Sequence, residues 1–295
     1  MSGVANDPMW SVFDPLWMDL RKVGGTDLLV AGGYGLFLKQ NWLLENLNVP
    51  TIIPLAQWRD TTPRVTKDFD IVIGLDLIAE AKTQKGMLAA LEKHNFTVTK
   101  QNPRWQFERM LDGNRKVVVE IHAPLPSDGQ AGLQADRVRI KRKPSLGSDG
   151  IHGRTNPEAV GCDLLPFRFE VAGTQVAVTN PITWCVMKLT AMRDQRKRSE
   201  EAERSLEDRE FCRDQAIKHA RDVCRIVAMV TRDERDGASG VVNAIQSTPQ
   251  FSEAKTIFAE FFQPYEGWGV MVTEDAWEPA DFQIIRSSLA NWFGN

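Results

Sequence analysis

The stretch Asp68 to Ile73, DFDIVI, constrains this chain more than any other. Its β-branched run predicts a strand, and successive side chains of a strand point to opposite faces. Asp68 and Asp70 then project from one face, about 7 Å apart along the backbone. Two carboxylates aimed at one point form a site for hard divalent cations, which take oxygen ligands and keep positions open for phosphate oxygens. In a chain with 21 aspartates the Asp-x-Asp spacing also arises by chance. Its weight therefore comes from context: an apolar β-branched run follows it, and a glycine pair lies upstream.

That glycine pair sits where the sequence changes period. Leu28-Leu29-Val30-Ala31 reads as a buried strand, Gly32-Gly33 as a tight turn, and Tyr34 to Leu47 as a helix. A glycine turn lets the backbone approach phosphates at a helix N-terminus, where free N–H groups and the dipole favour anions; a sharp turn without a ligand is the competing reading. A dinucleotide-binding fingerprint fails, because the third glycine position holds Leu38 and no strand-end acid lies about 20 residues on. Upstream, Asp14-Pro15 and Gly24-Gly25 bracket a short amphipathic helix, with the proline expected at its first position. Between Gln40 and Pro63, a helix end and a Pro-containing segment form a partly extended insertion that delivers the chain to Arg64.

Downstream, residues 76–95 read as a helix covering one sheet face, with His94 a surface residue complementing the helix dipole. RWQFERML and RKVVVEIH form two strands joined through Asp112-Gly113-Asn114, a strong hairpin signal. On the second strand Val118, Glu120 and His122 share one face. A carboxylate in a valine-rich strand is costly to bury unless paired or metal-bound, so Glu120 is a candidate third metal ligand; the alternative is an exposed edge strand with Glu120 solvated. Residues 124–161 are rich in Pro, Gly, Ser and Asp and read as a functional loop or ordered insertion. Within them RVRIKRK carries five cations in seven residues. Arg137, Arg139, Lys141, Arg142 and Lys143 are candidate RNA contacts, weighed against a solvated edge strand that uses charge to block aggregation. A further hairpin turns at Ala172-Gly173-Thr174.

Asn180-Pro181, a cap followed by a first-turn proline, marks the boundary to a mainly helical half. There Lys188 lies among Trp184, Cys185, Met187, Leu189 and Met192. A half-buried ammonium needs an anionic partner such as a nucleotide phosphate, or snorkels across the core edge. Asp222, beside the apolar stripe of a later helix, could pair with it. The formal charge of −3 argues against coating nucleic acid by bulk electrostatics and leaves only local basic patches. Four scattered cysteines without C-x-x-C spacing, and no secretory leader, suggest reduced thiols of a cytoplasmic protein, and no apolar run is long enough to span a bilayer.

Taken in order, LLVAGGYGLFLK, RVTKDFDIVI, EIHAP, PITWCVMKLTAMRDQR and KHARDVCRIV resemble the minimal nucleotidyltransferase fold, and within it the AbiEii/AbiGii-type toxin family that includes MenT-like nucleotidyltransferases. The resemblance covers about residues 25 to 230. It implies an α+β architecture: a mixed β-sheet lobe with flanking helices over 1–179, carrying the loop insertion near 124–161, then a helical lobe over 180–295. It also implies that Gly32, Gly33, Thr66 and Lys188 contact the NTP substrate. Asp68, Asp70 and Glu120 would hold Mg²⁺ or Mn²⁺, and Lys188 and Asp222 would complete the catalytic set, with Arg193 or Arg196 as the arginine of the lysine helix. The implied partners are a tRNA 3′ end or other RNA as acceptor and a cognate antitoxin protein. Tyr34 departs from the pattern, standing where many relatives place Ser or Thr.

Overall fold

A computed structural model of the 295-residue chain describes residues 3–62, 66, 68–101, 104–111, 115–126, 132–136, 138–142 and 150–294. Arg64, Val65 and Lys67, the expected turn Asp112-Gly113-Asn114, and Arg137 and Lys143 of the basic run lie outside the described residues. The chain divides into two compact units, one formed by 1–45 with 63–179 and the other by 46–62 with 180–295.

The first unit is built on a mixed sheet with, among the described residues, ten strands. They are β1 (Leu28–Val30), β2 (Asp68–Ile73), β3 (Thr97–Val98), β4 (Gln106–Met110), β5 (Lys116–Ala123), β6 (Leu133–Ala135), β7 (Arg139–Arg142), β8 (Gly153–Thr155), β9 (Phe167–Val171) and β10 (Thr174–Val178). The spatial order is β6-β7-β8-β5-β2-β1-β10-β9, with β4 also on β5 and β3 on β4. β2 and β5 run parallel at the centre, while β1 lies antiparallel to β2 and parallel to β10.

Alternation along the central pair separates a dry face from a polar one. Phe69, Ile71 and Ile73 of β2, with Val117, Val119 and Ile121 of β5, are each at most 1% exposed. Burying side chains of this size contributes about 2 kcal/mol apiece. Phe69 meets Phe13 of α1 (Trp10–Gly24) and Tyr34 of α2 (Gly32–Glu45) edge-on, at centroid distances of 5.3 and 4.7 Å. The opposite face of the same strands carries Asp68, Asp70, Val118, Glu120 and His122.

Several local expectations need correction. α1 starts one turn before Asp14, so Pro15 lies inside the helix rather than at its first position. Trp10, Val12 and Phe13 extend the buried stripe upstream, and that burial outweighs the proline's cost; Asp14 instead accepts from the Thr174 hydroxyl at 2.5 Å. The helix expected over 76–95 breaks at Glu80 into α3 (Leu75–Ala79) and α4 (Ala81–Lys93). His94 at its end is not a free surface group, because its Nε2 lies 2.8 Å from Asp19. The insertion contributes three strands, β6, β7 and β8, so the described part of the basic run, Arg139 to Arg142, lies inside the sheet and not at an edge. β5 likewise has β2 on one side and β4 and β8 on the other, which excludes the solvated-edge reading of Glu120. The turn between β9 and β10 uses positive φ at Ala172 (48°) and Gly173 (85°), as a tight hairpin requires.

The second unit is helical: α5 (Pro181–Glu200), α6 (Leu206–Ala228), α7 (Arg232–Ile245), α8 (Pro249–Phe261), α9 (Trp268–Met271) and α10 (Pro279–Phe293). Side chains of Asn180, Ser205, Thr231 and Thr248 cap α5 to α8 by accepting backbone N–H groups of the first turn. The insertion 46–62 belongs to this unit, where Ile52 and Ile53 donate to the Val230 and Ala228 carbonyls.

Candidate metal centre

Parallel pairing of β2 with β5 places Asp70 directly opposite Glu120, and Val72 opposite His122. β4 adds Gln106 opposite Glu120, and β8 adds Arg154 opposite His122. Residues paired in register share a face, so one polar face collects Asp70, Glu120, His122, Gln106 and Arg154. Ligand atoms of Asp70, Glu120 and His122 lie within 4.8 Å of one another.

The Glu120 carboxylate is held from two sides. Gln106 Nε2 donates to Oε1 at 2.6 Å and Arg154 Nη1 to Oε2 at 2.8 Å. Arg154 itself lies over the Trp105 ring, 5.2 Å from its centroid, which fixes the guanidinium on this face. His122 Nε2 is 3.1 Å from Asp70 Oδ1 and 3.5 Å from Glu120 Oε2. Two carboxylates and an imidazole converging on one spot form a donor set that suits a bound cation.

The glycine turn closes on the same carboxylate. Gly32 has φ +59°, and a Cβ there would lie 1.7 Å from Asp70 Oδ2. The Ala31 N–H donates to the Asp70 carbonyl at 2.8 Å. Only glycine permits both the left-handed conformation and this approach. The turn therefore delivers the N-terminus of α2, whose first N–H groups have no acceptor within the helix, to the edge of the acidic cluster. Tyr34 points away: it is 1% exposed, its hydroxyl lies 3.3 Å from Asp7, and burial pushes its pKa well up. The departure from Ser or Thr at this position thus belongs to the core.

Asp68 lies on the same face but is exposed and outside the 4.8 Å group; its N–H donates to Thr66 Oγ1 at 3.4 Å. Of the basic run, Arg139 is opposite Arg154 and Lys141 follows two residues on, so both share the site's face of the sheet. Arg139 pairs with Asp136 at 3.2 Å; the Val138 N–H, with Arg139, holds that carboxyl below its ordinary range. Arg142, alternating with Lys141, faces the other way.

In the helical unit, Lys188 Nζ and Asp222 Oδ2 are 2.9 Å apart on α5 and α6, 5% and 1% exposed. Each is the other's counter-ion inside the helix pair, which answers the buried ammonium's need for an anion. Arg193 is held by Glu253 and Asp194, whereas Arg196 pairs with Glu200 and lies 4.7 Å from the Trp268 ring centroid.

Sequence reasoning gave little weight to His122 and missed Gln106 and Arg154. Strand alternation alone places His122 with Glu120. The other two depend on cross-strand register, which no local pattern in the sequence carries.

The donor set, two carboxylates and one imidazole with a backbone turn beside them, fits a divalent ion. All four cysteines are free and buried, and among the described residues no helix is long and apolar enough to cross a membrane. No family model matches the chain, and no curated protein does. One solved structure similar to it is that of an antigenic nucleotidyltransferase-like protein from Paracoccidioides brasiliensis. The two align with a TM-score of 0.35 and 12% sequence identity, over 82% of this chain and 92% of that one. At that distance the likeness settles neither fold nor function, and the site rests on its own geometry.

Proposed function

We propose that the chain is a divalent-metal-dependent nucleotidyltransferase. The observation that carries this reading is the contact of the Gly32 turn with Asp70, itself in register with Glu120. An anion-receptive helix start then adjoins a cation-receptive carboxylate pair, the combination a metal-bound triphosphate needs. The order of strand, glycine turn, helix and carboxylate strands is also the one expected of the minimal nucleotidyltransferase fold.

In the proposed reaction an acceptor hydroxyl attacks the α-phosphorus of an NTP. A new O–P bond forms, the bond to the bridging oxygen breaks, pyrophosphate leaves with that electron pair, and the hydroxyl proton passes to solvent. Asp68, Asp70 and Glu120 would hold Mg²⁺ or Mn²⁺. When bound, the ion would neutralise triphosphate charge and lower the pKa of the acceptor hydroxyl. Gly32 and Gly33 would present backbone N–H groups to phosphate oxygens, and Thr66 would steady Asp68 and the nucleotide. Arg154 and Gln106 would keep Glu120 oriented and offset part of its charge, so catalysis is positioning and electrostatics. Lys188 and Asp222, which the same resemblance would add to the catalytic set, hold each other at 2.9 Å in the helical unit.

For the acceptor we propose RNA, with a tRNA 3′ end as the form implied by the toxin-family resemblance and a separate antitoxin as its regulator. Arg139 and Lys141, on the site's own sheet face, support a polyanionic acceptor. The test is incubation of the purified chain with each α-labelled NTP, Mg²⁺ or Mn²⁺, and total RNA. Label in RNA supports the full proposal; label in a protein band or a small molecule would keep the transfer chemistry and replace the acceptor.

A further inference from the structure

His122 occupies a position where an apolar residue would be cheaper. It is 7% exposed, its register partner on β2 is Val72, and Ile121 and Ala123 flank it. Its Nε2 faces both carboxylates, while its Nδ1 is buried with no hydrogen-bond partner among the described residues. Leaving a buried ring nitrogen unsatisfied is destabilising. The proposed transfer chemistry makes no use of this ring.

Its placement supplies a use. Both Glu120 oxygens already accept hydrogen bonds, one from Gln106 and one from Arg154. The ring nitrogen stands 3.1 Å from Asp70 Oδ1, on the side where the ligand atoms of Asp70, Glu120 and His122 converge. We propose that His122 is a direct nitrogen ligand of the metal, and that the Asp70–Glu120–His122 set selects Mn²⁺ over Mg²⁺. The proposal rests on the reading of this cluster as the metal centre. Mg²⁺ prefers an all-oxygen octahedron and surrenders its waters reluctantly. Mn²⁺ shares the preference for carboxylate and phosphate oxygens that a triphosphate site requires, and as a first-row transition ion it accepts one imidazole nitrogen among them more readily than Mg²⁺ does.

Mn²⁺ binding is measurable without turnover. The purified chain is titrated with Mn²⁺, free ion is followed by electron paramagnetic resonance, and Mg²⁺ is used as competitor. Pulsed measurements on the bound ion then read nitrogen coupling, in unlabelled protein and in protein grown with ¹⁵N-histidine. The expected result is one Mn²⁺ site lost in Asp70→Asn, with a coupling that changes isotope signature in the labelled protein. His122→Asn should lose the coupling and about tenfold of the Mn²⁺ affinity, a typical loss for a disturbed metal site, with less change for Mg²⁺. The isotope arm needs no substitution, so the proposal stays testable even where His122→Asn fails to fold. Mn²⁺ bound at an Asp70-dependent site without nitrogen coupling would overturn the His122 proposal and leave the transferase reading standing. Absence of any Asp70-dependent metal binding would overturn both.

Discussion

Replacing Gly32 by alanine tests how tightly the glycine turn and the carboxylate strand are fitted together. The substitution carries two costs. At φ +59° a side chain pays about 1 kcal/mol for the left-handed conformation. The new methyl would also sit 1.7 Å from Asp70 Oδ2 and 2.6 Å from its Cγ, so the carboxylate must swing away or the turn must shift. Overpacking of this kind costs about 1–3 kcal/mol. Gly173→Ala is the matched control, since φ there is +85° and nothing lies within 4 Å of the added Cβ. Urea unfolding followed by circular dichroism should give a loss of about 1 kcal/mol for Gly173→Ala and about 2–4 kcal/mol for Gly32→Ala. Asp70→Ala removes Oδ2 and Cγ, the two closest contacts, and keeps the 3.0 Å one with Asp70 Cβ, so the double variant should be less destabilised than the sum of the singles by about 1 kcal/mol or more. Gly32→Ala should lose Mn²⁺ affinity as well, and Gly173→Ala should keep it. Equal losses for the two glycines, with additive behaviour toward Asp70→Ala, would refute the fitted-turn account.

Two further outcomes are expected. Lys188→Met leaves Asp222 buried without its ammonium and should cost about 3–5 kcal/mol in urea unfolding, while Lys188→Met with Asp222→Leu should recover most of that loss; a variant that unfolds like the wild type would show that the pair carries no such stability. His152, 7% exposed, has its pKa lowered to about 4, first by burial and then by Arg139, Arg104 and Lys141. The unfolded chain, with an ordinary histidine pKa near 6.5, then binds the extra proton between those values. Its contribution is complete above about pH 6.5 and declines as pH falls toward 4. The difference between wild type and His152→Gln should show that slope, and a flat difference would remove His152 from the account.

The sheet centre was legible because period-2 alternation is a local signal: DFDIVI and KVVVEIH each announce one dry face and one polar face. What alternation cannot supply is the neighbour. That Asp70 stands opposite Glu120 follows from a parallel pairing across some fifty residues, and only that register gathers Gln106 and Arg154. His122 carries little weight by sequence because a histidine after an apolar residue looks like many others, although alternation sets it on the face of Glu120. The basic run is open to an edge-strand reading beside that of an RNA contact, because its charge matches edge protection. The strands that enclose it, Leu133–Ala135 and Gly153–Thr155, are three residues each and too short to announce themselves by pattern. Pro15 misled for a related reason, since the buried Trp10 and Phe13 that carry the helix past it gain their energy from tertiary packing.

The central claim is that Asp70 anchors a metal-dependent transfer of nucleotide. The most direct measurement follows α-³²P from each NTP into RNA, protein and small-molecule fractions, with wild type and Asp70→Ala run side by side and γ-labelled NTP as a parallel arm. The account predicts metal-dependent incorporation of the α label, pyrophosphate release with the γ label, and loss of both in Asp70→Ala. Incorporation that survives Asp70→Ala, or no transfer from any NTP to any acceptor, would contradict it.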